Sequence, residues 1–271
     1  MTAVHVGVFD SGFGGLTVLR ALLPLIPGAR YTYLGDTARL PYGAKSRQTI
    51  ARYAVSSAKF LEDHGAEMIV IACNTASALA MEELRASTTL PILGVIEPGA
   101  EAAREAATSG STLVLATQAT VQSDAYLKAL QAVGIEATQK ACPLLVPLVE
   151  EGWIDHDVTE QVARIYLTEA LADAAKAGLS PSTVLLGCTH YPLLRPLITR
   201  LLAELSPQPI TVIDSAETTA GKVAELLHAL PGQPSSNLAF YATDSTEKFQ
   251  ALGSRFLGQP LPEVNLLDLG G

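Results

Sequence analysis

Short runs of β-branched and other apolar residues alternate along the chain with longer stretches that carry helical periodicity. The apolar runs predict strands over 4–9, 31–34, 68–72, 92–96, 112–116, 183–187 and 209–213. Several are continuously apolar rather than alternating, as expected of strands covered on both faces of a parallel sheet. Between them, periodicity and end signals predict helices over 15–25, 46–64, 75–85, 98–108, 156–177 and 192–205. Pro24, Pro27, Pro91, Pro181 and Pro207 punctuate element ends, and the stretch 231–236 reads as a surface loop. This order of elements is that of an α/β protein with mainly parallel sheets.

A second regularity concerns where the strands end. Phe9-Asp10-Ser11-Gly12 and Ala72-Cys73-Asn74-Thr75 close two early strands, and Leu115-Ala116-Thr117-Gln118 and Gly187-Cys188-Thr189-His190 close two later ones. Asp10 precedes Cys73 by much the same distance as Thr117 precedes Cys188. The expected fold is therefore two pseudo-symmetric α/β domains, 1–97 plus 212–271 carrying Cys73 and 98–211 carrying Cys188. Open α/β sheets bind ligands at the carboxyl ends of their strands, so the active site is expected in the cleft between the domains.

Composition narrows the function classes. Of the 271 residues 48% are hydrophobic and 17% charged, which is ordinary for a globular protein. No apolar run is long enough to span a bilayer, and the first residues lack a basic segment followed by an apolar one. A cytoplasmic protein without a membrane partner is expected. The formal net charge of −9 argues against nucleic acid, whose binding needs a basic face. Three cysteines, an odd and small number, point to reduced thiols rather than a disulfide framework. The five histidines form no pair with cysteine at metal-ligand spacing, so no metal site is expected.

The candidate chemistry lies at the strand ends. Cys73 stands where an apolar strand meets a helix that Asn74 or Thr75 can cap. A thiol there feels free N–H groups and the positive end of the helix dipole, which favour thiolate. Cys188 repeats the arrangement, with Gly187 permitting close backbone approach. A lone intracellular cysteine is most often a small buried hydrophobe. Two in matched contexts, flanked by Asn, Thr and His, outweigh that reading, whereas Cys142 in Ala-Cys-Pro-Leu is read as structural.

Asp10 opens the glycine-rich loop Asp-Ser-Gly-Phe-Gly-Gly, which matches neither dinucleotide nor P-loop spacing; its carboxylate suits an ammonium group, or a helix cap. Pro41-Tyr42-Gly43 reads as an exposed loop that can form a site lip. His190 can serve Cys188 as an acid/base partner. Either Glu150 or Glu151 can reach the cleft, a solvated pair being the alternative.

These segments resemble bacterial glutamate racemases. The resemblance is carried by residues 7–15, 36–43, 72–76, 142–150 and 186–193 and runs through nearly the whole chain in order. It implies a cofactor-independent enzyme, without pyridoxal phosphate or metal, that interconverts L- and D-glutamate for peptidoglycan synthesis. Its substrate is a small molecule, and a homodimer is implied. Cys73 and Cys188 would be the acid/base pair, serving D- and L-glutamate respectively, assisted by Asp10, Glu150 and His190. Asp10, Ser11, Pro41, Tyr42, Gly43, Asn74, Thr75, Thr117, Thr120, Thr189 and His190 would line the substrate site. Ala119 replaces the glycine usual before Thr120. Aspartate racemases share the pattern but usually have Glu where His190 stands. The activator-binding extension of some members is not expected.

The chemistry fits the parts. Racemisation without a cofactor needs one single-proton group on each face of the α-carbon, and thiols can be tuned towards neutrality by their neighbours. Two readings from other classes stay open: a Cys188/His190 hydrolase, and a redox sensor in which the two cysteines form a disulfide.

Overall fold

The apolar runs form strands that sort into two wholly parallel sheets in a computed structural model that describes residues 3–107, 110–227 and 237–270. The 231–236 loop expectation lies outside these residues. The chain enters through β1 (His5–Asp10), α1 (Leu16–Leu25), β2 (Arg30–Gly35), α2 (Arg47–Asp63), β3 (Met68–Ile71), α3 (Asn74–Leu79), α4 (Met81–Ser87) and β4 (Ile92–Gly94). It crosses by α5 (Ile96–Ala106) into β5 (Ser111–Ala116), α6 (Gln118–Gln122), α7 (Ala125–Ala132), β6 (Ala137–Ala141), α8 (Leu145–Glu150) and α9 (Asp157–Lys176). There follow β7 (Pro181–Gly187), α10 (Arg195–Leu205), β8 (Thr211–Asp214) and α11 (Ser215–Leu226). The chain then returns through β9 (Leu238–Ala242), α12 (Thr246–Leu257) and β10 (Val264–Leu266).

Among the described residues one sheet has the order β10-β9-β2-β1-β3-β4 and the other β6-β5-β7-β8. The order β2-β1-β3-β4 thus recurs as β6-β5-β7-β8. β1 corresponds to β5 and β3 to β7, so Asp10 and Thr117 occupy equivalent strand ends, as do Cys73 and Cys188. The continuously apolar strands lie where both faces are covered: every residue of β1, β3 and β5 is buried, as are the last five of β7.

Helices α2, α3 and α4 enclose a core of Phe9, Leu34, Ile50, Leu61 and Ile71 on one face of the first sheet. On the other face α1 packs against α11 and α12, and one core runs without a break from Val6 and Leu19 to Leu186 and Phe256. The two lobes are therefore welded along α1, α5 and α11 by apolar burial, leaving their strand ends to meet above it.

Several elements depart from the pattern. β6 (ATQKA) is a half-buried edge strand, and with one face near water it never needed an apolar run. β10 is likewise an edge strand, and β9 pairs between it and β2. The helix expected over 75–85 breaks at Ala80 (φ −129°, ψ 1°) into α3 and α4. Pro24 lies inside the last turn of α1 instead of ending it. Ile96 belongs to α5, not to the preceding strand. β8 pairs with β7 at the edge of the second sheet, so a division before residue 212 falls within that strand. No helix among the described residues is long and apolar enough to cross a membrane.

The longest amphipathic helix of the first lobe, α2, starts at Ser46, whose hydroxyl accepts the Thr49 N–H at 3.3 Å. Replacing it leaves that end donor without a side-chain acceptor. Ser46→Ala is expected to lower the free energy of unfolding by about 1 kcal/mol, and Ser46→Asp to retain most of it, as measured by chemical denaturation.

Candidate active site

Asp10 is the last residue of β1, and its carboxylate is almost fully buried. Oδ2 accepts the Gly12 N–H at 2.9 Å, while Oδ1 has no hydrogen-bond partner among the described residues. Burial pushes this carboxyl above its ordinary range, against the opposing pull of the Gly12 N–H and the nearby His190. Gly15 permits the packing, since a Cβ there would lie 2.6 Å from the Asp10 Cβ.

Cys73 follows β3 and is itself the N-cap of α3: its Sγ accepts the Ala76 N–H at 3.4 Å. This corrects the expectation that Asn74 or Thr75 caps the helix. The thiol also donates to the Ser11 hydroxyl at 3.4 Å. It does not carry the lowered pKa expected at a helix N-terminus. Burial, reinforced by the charge of Asp10, pushes it up to about 12, and the Ser11 and Ala76 hydrogen bonds only reduce the rise. A six-residue helix offers a weak field, whereas removal from water penalises thiolate fully.

Cys188 follows β7, with Sγ 3.9 Å from His190 Nδ1. The Thr189 hydroxyl lies 3.4 Å from the same nitrogen. The far side of the ring, Nε2, meets Glu150 Oε1 at 3.1 Å. Burial opposes the imidazolium, but the contacts with Cys188 and Glu150 outweigh it and raise His190 to about 10. Phe256 packs edge-on against the ring, with centroids 5.0 Å apart. Glu150, at the end of α8, thus reaches the site, while Glu151 is exposed. The two cysteine turns are not copies of each other, because a 3₁₀ turn over Tyr191–Leu194 separates Cys188 from α10.

The two lobes touch at these turns. At Gly14 an added Cβ would collide with the Thr189 hydroxyl and come within 2.7 Å of His190 Nδ1. Thr17 donates its hydroxyl to the Thr189 carbonyl at 3.1 Å. Thr75 lies 3.3 Å from Thr117 and 3.5 Å from Thr120, which are themselves 3.0 Å apart. Tyr126 donates to Asn74 Oδ1 at 2.6 Å. Asp10, Ser11, Cys73, Asn74, Thr75, Thr117, Thr120, Cys188, Thr189, His190 and Glu150 are thereby gathered in one place.

The loop 41–43 is a partial exception. Pro41 and Gly43 are exposed, but Tyr42 is buried and donates to Asp36 Oδ2 at 2.6 Å, so its hydroxyl is turned away from the lip. Asp36 is fully buried and also accepts from Thr243 at 2.9 Å. It was not singled out in the sequence, although a carboxylate just beyond the apolar run 31–34 was a signal; Tyr126 and Phe256 offered none. Cys142 is buried, and its carbonyl accepts the Tyr191 hydroxyl at 2.9 Å.

The His190 assignment is directly measurable. Nitrogen-resolved NMR should show the ring still protonated at pH 8. In Glu150→Gln the midpoint should fall, because an anionic acceptor that favours the imidazolium has gone.

Known proteins resemble the chain over nearly its whole length. A family model described as Asp/Glu/Hydantoin racemase matches residues 17–223. A glutamate racemase from Koribacter versatilis is 48% identical, with 98% of each chain covered. Among solved structures, a glutamate racemase from Francisella tularensis in complex with D-glutamate superposes with a TM-score of 0.86 at 32% identity, covering 99% of each chain. One from Thermus thermophilus in complex with beta-chloro-D-alanine gives 0.84 at 41% identity, covering 99% of this chain and 98% of its own. With most of its length matched by the family model and nearly all of it by such relatives, the chain belongs to the Asp/Glu/Hydantoin racemase family.

Proposed function

We propose that this protein is a glutamate racemase that works by two-base proton transfer between Cys73 and Cys188. The observation that carries this reading is the meeting of two unlike thiol turns. Cys73 lies beside a buried carboxylate and Cys188 beside a half-buried imidazole paired to Glu150. The relatives' names supply glutamate as the substrate.

One cysteine, as thiolate, takes the α-proton and becomes a thiol. The electron pair left on the α-carbon is delocalised into the α-carboxylate. The opposite thiol then gives its proton to the other face and becomes the thiolate. His190, held as the cation, stabilises negative charge on Cys188 Sγ, which in the L-to-D direction takes the proton. Cys73, protonated at neutral pH with a pKa of about 12, is then the donor. When the direction reverses, Asp10 accepts the Cys73 proton and His190 gives one to Cys188 Sγ, so that Cys73 is the thiolate and Cys188 the thiol. Glu150 holds the His190 ring in place and favours its charge.

The hydroxyls of Thr75, Thr117, Thr120 and Thr189 and the Asn74 amide would bind the carboxylates of glutamate, with Ser11 and the Pro41–Gly43 loop closing the site. Charge growing on the α-carboxylate in the transition state would meet these fixed donors in a dry environment, where they act most strongly. A chain of net charge −9 can hold a small anion in this way, without a lysine. The reading includes a cytoplasmic homodimer supplying D-glutamate for peptidoglycan.

Incubation with L-glutamate in D₂O tests the proposal. D-glutamate and α-deuteration should appear together. Cys73→Ser and Cys188→Ser should each slow interconversion by at least about a hundredfold, the low end for loss of a general acid or base. Full activity in either variant sinks the two-thiol mechanism. A native protein that exchanges no α-proton with either enantiomer sinks the assignment.

A further inference from the structure

Tyr126 is one of the largest completely buried side chains, on α7 of the second lobe, and has no part in the mechanism above. Its ring fills the space beside Gly187, where a Cβ would meet Tyr126 Cε2 at 2.8 Å. Its hydroxyl crosses to the first lobe and donates to Asn74 Oδ1 at 2.6 Å. Gly187 directly precedes Cys188 and Asn74 directly follows Cys73. A single rigid side chain therefore spans the backbone turns of both thiols.

The hydrogen bond also decides how the Asn74 amide is turned. With Oδ1 used as the acceptor, Nδ2 is left as the donating end. Asn74 is only 3% exposed, and Nδ2 has no partner among the described residues. A buried amide donor without an acceptor is costly, and persists where a bound molecule supplies one. Tyr126 is also a dependable donor, because burial raises its pKa far from the working range.

We propose that Tyr126 is a positioning residue: it locks the Asn74 amide so that Nδ2 donates to an anionic oxygen of the substrate, and it sets the spacing of the two cysteine turns. The inference rests on the racemase reading above. Without the hydroxyl, the amide is free to turn over and present its oxygen to the substrate's carboxylate, which repels it. Substrate binding then weakens while the thiols keep their own chemistry.

The test is steady-state kinetics in both directions on Tyr126→Phe, Asn74→Ala, Asn74→Asp and the Tyr126→Phe/Asn74→Ala double variant. Tyr126→Phe should raise KM for both enantiomers roughly three- to tenfold, as for loss of one neutral hydrogen bond. Its kcat should stay within about twofold, the pattern of lost ground-state binding. The double variant should be no worse than Asn74→Ala alone, since the tyrosine acts through the amide. Asn74→Asp should raise KM further than Asn74→Ala, because it places a second anion against the substrate. Unchanged KM in Tyr126→Phe overturns the inference, as do independent, multiplying effects in the double variant. So does an Asn74→Asp variant that binds as well as Asn74→Ala, a result that does not depend on how Tyr126→Phe folds. A native enzyme inactive on both enantiomers overturns the racemase reading itself; an active one indifferent to Tyr126→Phe overturns only this step.

Discussion

The contact between Gly14 and the Thr189–His190 turn governs the rest of the site. Two parallel sheets end in polar turns. Here the glycine has no side chain, so the Asp10 loop abuts the Cys188 turn closely enough that a single Cβ would collide with it. The Thr17–Thr189 hydrogen bond fastens the same junction, and the apolar core shared by α1, α11 and α12 holds it from below. Beside this junction Asp10 and Cys73 are buried, and the His190 side chain keeps only 12% of its surface exposed.

Exclusion of water acts on the two cysteine turns in different ways. At Cys73 burial and a neighbouring carboxylate work together against negative charge, and the thiol rises to about 12. At the other turn Glu150 stands behind His190, and burial loses to the charged hydrogen bonds. One turn therefore opposes thiolate, while the other sets an imidazolium beside sulfur. In a low-dielectric site burial and the Asp10 charge outweigh the weak dipole of a short helix, so the Cys73 thiol is raised although it stands at a helix N-terminus.

A group of buried tyrosines does the bracing. Tyr33 donates to the Gly12 carbonyl, Tyr42 to Asp36, Tyr126 to Asn74 and Tyr191 to the Ala116 and Cys142 carbonyls. Each combines a large apolar ring in the core with a hydroxyl that must find a partner, and the partners on offer are the turns at the strand ends. The core is thus tied directly to the site it carries.

Much of this was legible in the order of residues. Continuous apolar runs marked the buried strands because a strand covered on both faces has no polar position to spare. The strand-end positions of Asp10, Cys73, Thr117 and Cys188 were equally plain, since each polar residue interrupts such a run. The edge strands β6 and β10 were not, because an edge strand does not require that pattern. What tertiary structure alone decided were contacts between residues far apart in the chain. Glu150 rather than Glu151 meets His190, the Tyr42 hydroxyl turns inward to Asp36, Cys73 caps its own helix, and Tyr126 reaches Asn74. Local sequence sets which face of an element is apolar, but which polar atoms meet above the core depends on how two lobes pack, and that is fixed only when all their surfaces fit at once.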